Sequence, residues 1–241
     1  MRATAPTPPL DLEGFLDWEE RQQERYELAG GVVRRRAGGT EDHDRIGGNI
    51  FAALRTRLRG QPCSAHGSNL KLLSRSLGAS MYPDGFVRCG PREGGRTRTE
   101  DAVIVFEVLS EGTAQFDLTR KRMACEAIPT LRRIVYVSTV EPRVDVRVRG
   151  EDGNWRDEPV EGLAAEVRLP EIDVTLAMAE IYEDSEVATG VVGASPVGRQ
   201  LDLMRVNADD LLTDLNGTWD LNGIWHRASG GNTEESNSFI C

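Results

Sequence analysis

Three carboxylates and one lysine in this sequence stand where they could do chemistry. Asp84 comes directly after Pro83, whose ring fixes the backbone at that point. Glu107 lies inside the run DAVIVFEVLS at 101–110. There Val103, Val105 and Leu109 alternate with Ile104, Phe106 and Val108, the pattern of a strand covered on both faces. An unpaired carboxylate in such a strand would cost on the order of 3–5 kcal/mol, so the fold should supply a lysine, an arginine or a metal ion to meet it. Glu27 sits between Tyr26 and Leu28 in a predicted hairpin, and Lys121 follows Asp117 by four residues on a predicted helix, on the same face. Carboxylates at strand ends make an all-oxygen site of the kind that takes Mg²⁺ or Mn²⁺. A lysine beside it can orient water and stabilise charge on a phosphoryl group. That is equipment for hydrolysing a phosphodiester bond.

Each residue also has a plainer reading. Asp84 could be a turn aspartate bonding its own backbone. Glu107 could pair with an arginine and be structural. Glu27 could be a surface glutamate, and Lys121 belongs to the run Arg120-Lys121-Arg122, a pattern common on solvated helix faces. His43 could be a ligand, a proton carrier or a surface residue, whereas His66 and His226 show no partner pattern.

The elements that must position these groups follow from periodicity. Phe15, Leu16 and Trp18 mark a first helix from Asp11 to about Gln23, and Tyr26–Arg34 reads as a hairpin turning on Gly30-Gly31. Thr40 and Asp42 are candidate caps for a helix on which Ile46, Ile50, Leu54 and Leu58 recur every four residues. Short strands are expected near 63–66 and 69–73, then a segment 81–89 containing Asp84. A polar loop over 91–100 precedes the buried strand. A helix over about 113–127 should lead from that strand to Ile134–Val137, a parallel crossover that puts Lys121 about 10–11 Å along the axis from the helix start. Val144, Val146 and Val148 alternate with charged residues, hairpin material runs to Leu169, and Leu176–Tyr182 suggests a short closing helix.

Taken in order, RYELAGG at 25–31, the helix led by His43, YPD at 82–84, FEVLS at 106–110, FDLTRK at 116–121 and IPTLRRIVYVS at 128–138 resemble the Uma family of restriction-endonuclease-like proteins, a branch of the PD-(D/E)XK nuclease-like superfamily. The likeness covers about residues 11–182. It implies an α/β fold of the α+β kind, a central mixed sheet flanked by helices, and Mg²⁺-dependent cleavage of DNA. By the same resemblance Asp84 is the motif aspartate and a metal ligand, Glu107 the second acid and Glu27 an upstream acid that also ligates. The superfamily's usual lysine position is Leu109 here, and in this branch the lysine comes from the following helix, which points to Lys121. Cys125 stands where relatives carry tyrosine, Gly85 where a β-branched residue is usual, and Glu111-Gly112 where Pro-Ser is familiar.

Composition bounds the rest. The formal charge of −10 is uneven: from Glu183 onward there are 10 acids and 3 arginines, leaving the first 182 residues near neutral. That argues against a protein that coats nucleic acid, though clustered arginines at 34–36, 55, 57, 59 and 132–133 could meet phosphates locally. No apolar run is long enough to span a membrane, the N-terminus lacks a signal-peptide core, and the four cysteines show no disulfide or zinc spacing. These features point to a cytoplasmic protein with reduced thiols. No P-loop, dinucleotide fingerprint, HExxH or GxSxG motif is present. The expected organisation is a disordered 1–10, a nuclease domain over 11–182, and an acidic tail over 183–241 with a linker, a short helix on Met204–Leu215 and two Asn-Gly-x-Trp units. The preferred function is a divalent-metal-dependent endonuclease acting on DNA, for which a homodimer would be unsurprising. The alternative is a catalytically inactive nuclease-fold module that binds nucleic acid or protein, and a third is an enzyme for another phosphoester.

Overall fold

The computed structural model describes residues 11–36, 38–110 and 114–189, together with the backbone of two short strands in the tail. Two sheets organise the body. The first has the order β2-β1-β5-β4-β7 and is built from β1 (Tyr26–Ala29), β2 (Val32–Arg35), β4 (Lys71–Ser74), β5 (Ala79–Met81) and β7 (Arg98–Thr99). The second has the order β11-β10-β9-β8-β6-β3. Its members are β3 (Cys63–Gly67), β6 (Gly85–Cys89), β8 (Ala102–Leu109), β9 (Arg133–Ser138), β10 (Arg143–Arg149) and β11 (Trp155–Glu161). All its pairings are antiparallel except β8 with β9, the parallel pair expected of the crossover.

The segment 81–89 is two strands. β5 ends at Met81 in the first sheet and β6 begins at Gly85 in the second, so Tyr82-Pro83-Asp84 is the bridge between them. A proline, which cannot donate to a sheet ladder, suits such a crossing.

α1 (Leu12–Glu19) is capped by Asp11 and packs Phe15, Leu16 and Trp18 with Leu28 and Leu73. α2 (Glu41–Arg57) is capped by the Thr40 hydroxyl, which accepts from the His43 amide at 3.2 Å. Its Ile46, Ile50 and Leu54 are all buried against Ile104, Phe106 and Val108 of β8. Full burial of side chains of this kind stabilises by about 1.5–3 kcal/mol each, so this face anchors the strand that carries Glu107.

Between β8 and β9 the helical segment comprises α3 (Ala114–Phe116), a π-helical turn (Asp117–Lys121) and α4 (Arg122–Glu126). The closing region differs from expectation. β12 (Glu166–Leu169) pairs with β13 (Val174–Ala177), so helix α5 is confined to Met178–Ile181. Packing continues past residue 182: α6 (Glu186–Thr189) places Val187 in the main core, and Asn49 donates to the carbonyls of Ile181 and Glu183.

One sequence expectation is overturned. Cys63 and Cys89 form a disulfide, because the β3–β6 register sets them directly opposite with Cα atoms 3.9 Å apart. Linear spacing carried no sign of it. Cys125 alone is a free thiol among the described residues, buried 3.9 Å from the Met81 sulfur.

Residues 201–241 form a second unit. In it β14 (Gly217–Trp219) pairs antiparallel with β15 (Trp225–Arg227), setting Trp219 opposite Trp225. The helix expected over Met204–Leu215 lies outside the described residues. No helix among the described residues is long and apolar enough to cross a membrane.

Candidate functional site

A cleft of about 440 Å³ opens where the bridge 82–84, the start of α2, the end of β8 and the π-helical turn meet. Glu27, His43, Asp84, Glu107, Asp117 and Lys121 all line it, so the six residues singled out by sequence share one site.

Lys121 is its centre. The Lys121 Nζ lies 2.9 Å from both Glu107 carboxylate oxygens, 3.3 Å from Glu27 Oε1 and 3.6 Å from Asp117 Oδ1. All four side chains are at least nine-tenths buried. Asp117 and Lys121 are four residues apart, a spacing that sets both on one face, and both lie in the π-helical turn, an irregularity that recurs at functional sites. Glu27 is fixed in turn by the Tyr82 backbone N–H, which donates to it at 2.6 Å. The tight hairpin behind Glu27 needs its two glycines, since Gly30 and Gly31 both have positive φ, at 56° and 72°. Gly30 also accepts from Arg120 at 2.8 Å, so the basic run splits: Lys121 turns in and Arg120 clasps the hairpin.

Asp84 immediately precedes β6 and meets β8 through its side chain. Its Oδ2 accepts from the Val108 N–H at 2.9 Å, on the β8 residue next to Glu107. His43 Nε2 lies 3.3 Å from that same oxygen, and Arg36 reaches Oδ1 at 3.4 Å. The His43 ring packs onto Gly39, where a Cβ would fall 2.6 Å from Nδ1, so a larger residue there would displace it.

These contacts set the charge states. Burial disfavours the Lys121 ammonium, but Glu107, Glu27, Asp117 and Asp84 outweigh it and hold the pKa well above the ordinary lysine value. Burial pushes the Glu107 carboxyl well up; Lys121 opposes this, while Asp117, Asp84 and Glu27 reinforce it. For Asp84, burial raises the pKa, yet the His43 hydrogen bond and the charges of His43 and Lys121 bring it below the ordinary value. His43 is destabilised as a cation by burial and more than compensated by Asp84, so its pKa is raised. Four carboxylates thus face one ammonium and one guanidinium, with the imidazole as a third partner.

The donor set fits a divalent cation on two grounds. It carries surplus negative charge in a buried place, and its donors are carboxylate oxygens, of which Glu107 Oε1 has the Lys121 ammonium nearby but no aligned hydrogen bond. As they stand, no three Asp, Glu, His or Cys side chains among the described residues form a ready cage, the ammonium lying among the carboxylates.

The sequence pointed to several arginines that lie elsewhere. Arg57 is paired with Glu180 and Arg133 with Glu171. The positions of Glu111-Gly112 lie outside the described residues. Gly85 is not forced by space, since a Cβ there would make ordinary contacts. What sequence reasoning missed is Arg36 on Asp84, the Tyr82 N–H on Glu27, and a buried support beneath them. In that support the Tyr82 hydroxyl donates to Glu19 at 3.0 Å, and Lys71 pairs with Glu19 at 2.6 Å. No pattern announced these, because a backbone donor and a pair 52 positions apart leave no local mark.

A mixed sheet with flanking helices and acidic residues at adjoining strand ends is a restriction-endonuclease-like architecture. A crystal structure from Anabaena variabilis, described as a putative nuclease of the DUF820 family, shares it with a TM-score of 0.58. It covers 72% of this chain and 98% of that one at 15% identity. The family model described as "Putative restriction endonuclease" (Uma2) matches residues 12–179, and the chain belongs to that family. Two Synechocystis relatives carry the names uncharacterized protein slr1290 and uncharacterized protein sll1609. The first is 31% identical over 153 residues, which is 63% of this chain and 80% of the relative. The second is 24% identical over 172 residues, 70% of this chain and 97% of the relative.

Proposed function

We propose that this protein is a divalent-metal-dependent endonuclease that hydrolyses phosphodiester bonds in DNA. The observation that carries the reading is the buried group of Lys121 with Glu107, Glu27 and Asp117, set beside Asp84 in a cleft open to solvent. Asp84 and Glu107, with Glu27, would hold Mg²⁺ or Mn²⁺. Such an ion, when bound, supplies Lewis-acid stabilisation of a phosphoryl oxygen and lowers the pKa of water.

The chain's own groups do the rest. Lys121, held as an ammonium, donates to the attacking water or to the phosphoryl oxygen where charge develops, and it does not serve as the base. Asp84 is kept ionised and oriented by the Val108 N–H, Arg36 and His43. Arg35 on the rim would have to exchange its partner Glu24 for a flanking phosphate, while Arg36 stays with Asp84. A homodimer that presents two sites to a duplex belongs to the same reading, and so does a cytoplasmic location, where the Cys63–Cys89 pair would be held reduced.

The test uses the full chain with supercoiled plasmid, in Mg²⁺, in Mn²⁺ and in chelator, beside calorimetric titration of each metal. Nicking that requires metal and disappears in Asp84→Asn and Glu107→Gln, with metal affinity lost in both, is the expected result. DNA retention that is indifferent to metal and to both substitutions would instead define a binding module.

A further inference from the structure

A second depression, of about 1150 Å³, adjoins the cleft. Tyr82 lines both, and the β3–β4 turn is divided between them: Gly67 and Ser68 face the cleft, His66 and Asn69 the groove. The composition of the groove inverts that of the cleft. Seven lysine and arginine side chains line it against the single acid Glu93. Three of the cations are neutralised: Arg88 by Asp101, Arg96 by Glu93 and Asp101, and Lys71 by Glu19.

Four arginines face the groove with no carboxylate partner among the described residues. Arg25 is exposed and donates to the Ser68 carbonyl and to Asn69 Oδ1. Arg55 is exposed, 5.7 Å over the Phe51 ring, and Arg59 and Arg92 are exposed without an ion pair. They come from the hairpin approach, the end of α2 and the 91–97 loop, so the fold gathers charge from distant parts of a net acidic chain. His66 at the floor registers this field. Burial and the charges of Arg88, Arg92 and Arg55 hold its pKa below the ordinary value, partly opposed by Asp101. It is kept in place by Ser64 at 2.9 Å and by stacking on Phe86 at 5.1 Å.

We propose that this groove is the track for the phosphate backbone of a single nucleic-acid strand running to the cleft, an assignment that rests on the nuclease reading for where the strand leads. Exposed guanidiniums without carboxylates suit a polyanion, because each phosphate they meet releases counterions. A basic groove that tracks a backbone is the arrangement that holds a single strand, whereas duplex readout in the major groove is by an inserted helix or β-ribbon.

The test measures binding of a fluorescent 15-nucleotide oligothymidylate to the full chain in chelator, by anisotropy across a salt series. A duplex of the same length is the competitor. Four neutralised phosphates correspond to a slope of log affinity against log salt of about −2.8. The triple variant Arg55→Gln/Arg59→Gln/Arg92→Gln, checked for an unchanged melting curve, should bring the slope to about −0.7 and weaken binding about 100-fold at 0.1 M salt. Preference for the duplex, or a slope unmoved by the variant, overturns the proposal. If the strand binds as described but no metal-dependent cleavage occurs, the groove stands and the nuclease reading fails. If the triple variant nicks plasmid at the wild-type rate and neither protein binds the oligonucleotide, the groove falls and the nuclease reading stands.

Discussion

The cleft around Lys121 and the groove around His66 share Tyr82 yet handle charge in opposite ways. Around Lys121 the ionic groups of the cleft are buried and touch one another, three carboxylates to one ammonium. In the groove four arginines stand exposed with no ion-pair partner among the described residues. Burial removes solvent screening, so each charge in the cleft depends on its neighbours, while water insulates the arginines from one another. The first arrangement holds a small, dense charge in fixed geometry. The second meets a long, flexible polyanion at low structural cost. A chain of net charge −10 can carry both because its acids are concentrated elsewhere, including ten from Glu183 onward.

The sharpest way to break this contrast is to remove one cation from each region. Lys121→Met should destabilise the fold by about 3–5 kcal/mol, because it leaves the Glu107 carboxylate buried and unpaired. Adding Glu107→Gln to it should restore much of the loss, the non-additivity expected of groups in contact. Arg59→Met in the groove should stay within about 0.5 kcal/mol of wild type. Urea denaturation at pH 7 measures all four proteins; equal losses for Lys121→Met and Arg59→Met would erase the distinction. Lys121→Met should also lower cleavage by about 100- to 1000-fold, if the ammonium stabilises the transition state as proposed.

The next effect separates stability from chemistry. The Cys63–Cys89 bridge spans a sequence separation of 26, and its reduction should cost about 3.5 kcal/mol by the loop-entropy argument. Both cysteines lie at the end of the β3–β6 pair remote from Gly85, beside which Asp84 sits. The melting midpoint should therefore fall in reductant while the metal-dependent nicking rate at 25 °C stays the same. A parallel fall in both would mean that the bridge holds the cleft as well.

How much of this was legible beforehand follows from what kind of signal each feature leaves. Glu107 was legible because a carboxylate within an apolar strand is a local contradiction. Lys121 came from the family resemblance, with the crossover topology making its reach to Glu107 plausible, while Arg120 and Arg122 beside it look alike in sequence. α2 and β8 were legible from their periods. The two-sheet division at Tyr82-Pro83-Asp84 was not, since both strands read alike and only pairing partners separate them. The groove escaped for a related reason. Arg55 and Arg59 stood out only as part of an arginine cluster whose common face was not visible, Arg25 and Arg92 are unremarkable singly, His66 had no partner in sequence, and three-dimensional convergence makes them a surface. The disulfide likewise depends on register, which spacing does not encode.

The smallest expected effect sharpens the comparison from the groove side. Arg88, the Thr99 hydroxyl and the nearby Arg96 stabilise the Asp101 carboxylate against a modest burial penalty, and its pKa is pushed down to about 2. A depressed carboxylate contributes stability above its unfolded value near 4 and loses it as pH falls toward 2. The wild-type urea midpoint should therefore decline through that window more steeply than that of Asp101→Asn, by a small margin because Asp101 is partly exposed and screened. At pH 7 the same substitution removes the acid that neutralises Arg88 and helps neutralise Arg96. Arg88 is buried and remains occupied by the Pro91 carbonyl, so Arg96, left with Glu93 as its one carboxylate partner among the described residues, is the cation that can turn to a phosphate. The oligonucleotide salt slope should steepen by about 0.7, one additional contact. An unchanged slope would mean that Arg96 stays with Glu93, and the basic reach of the groove would end at the four arginines already unpaired.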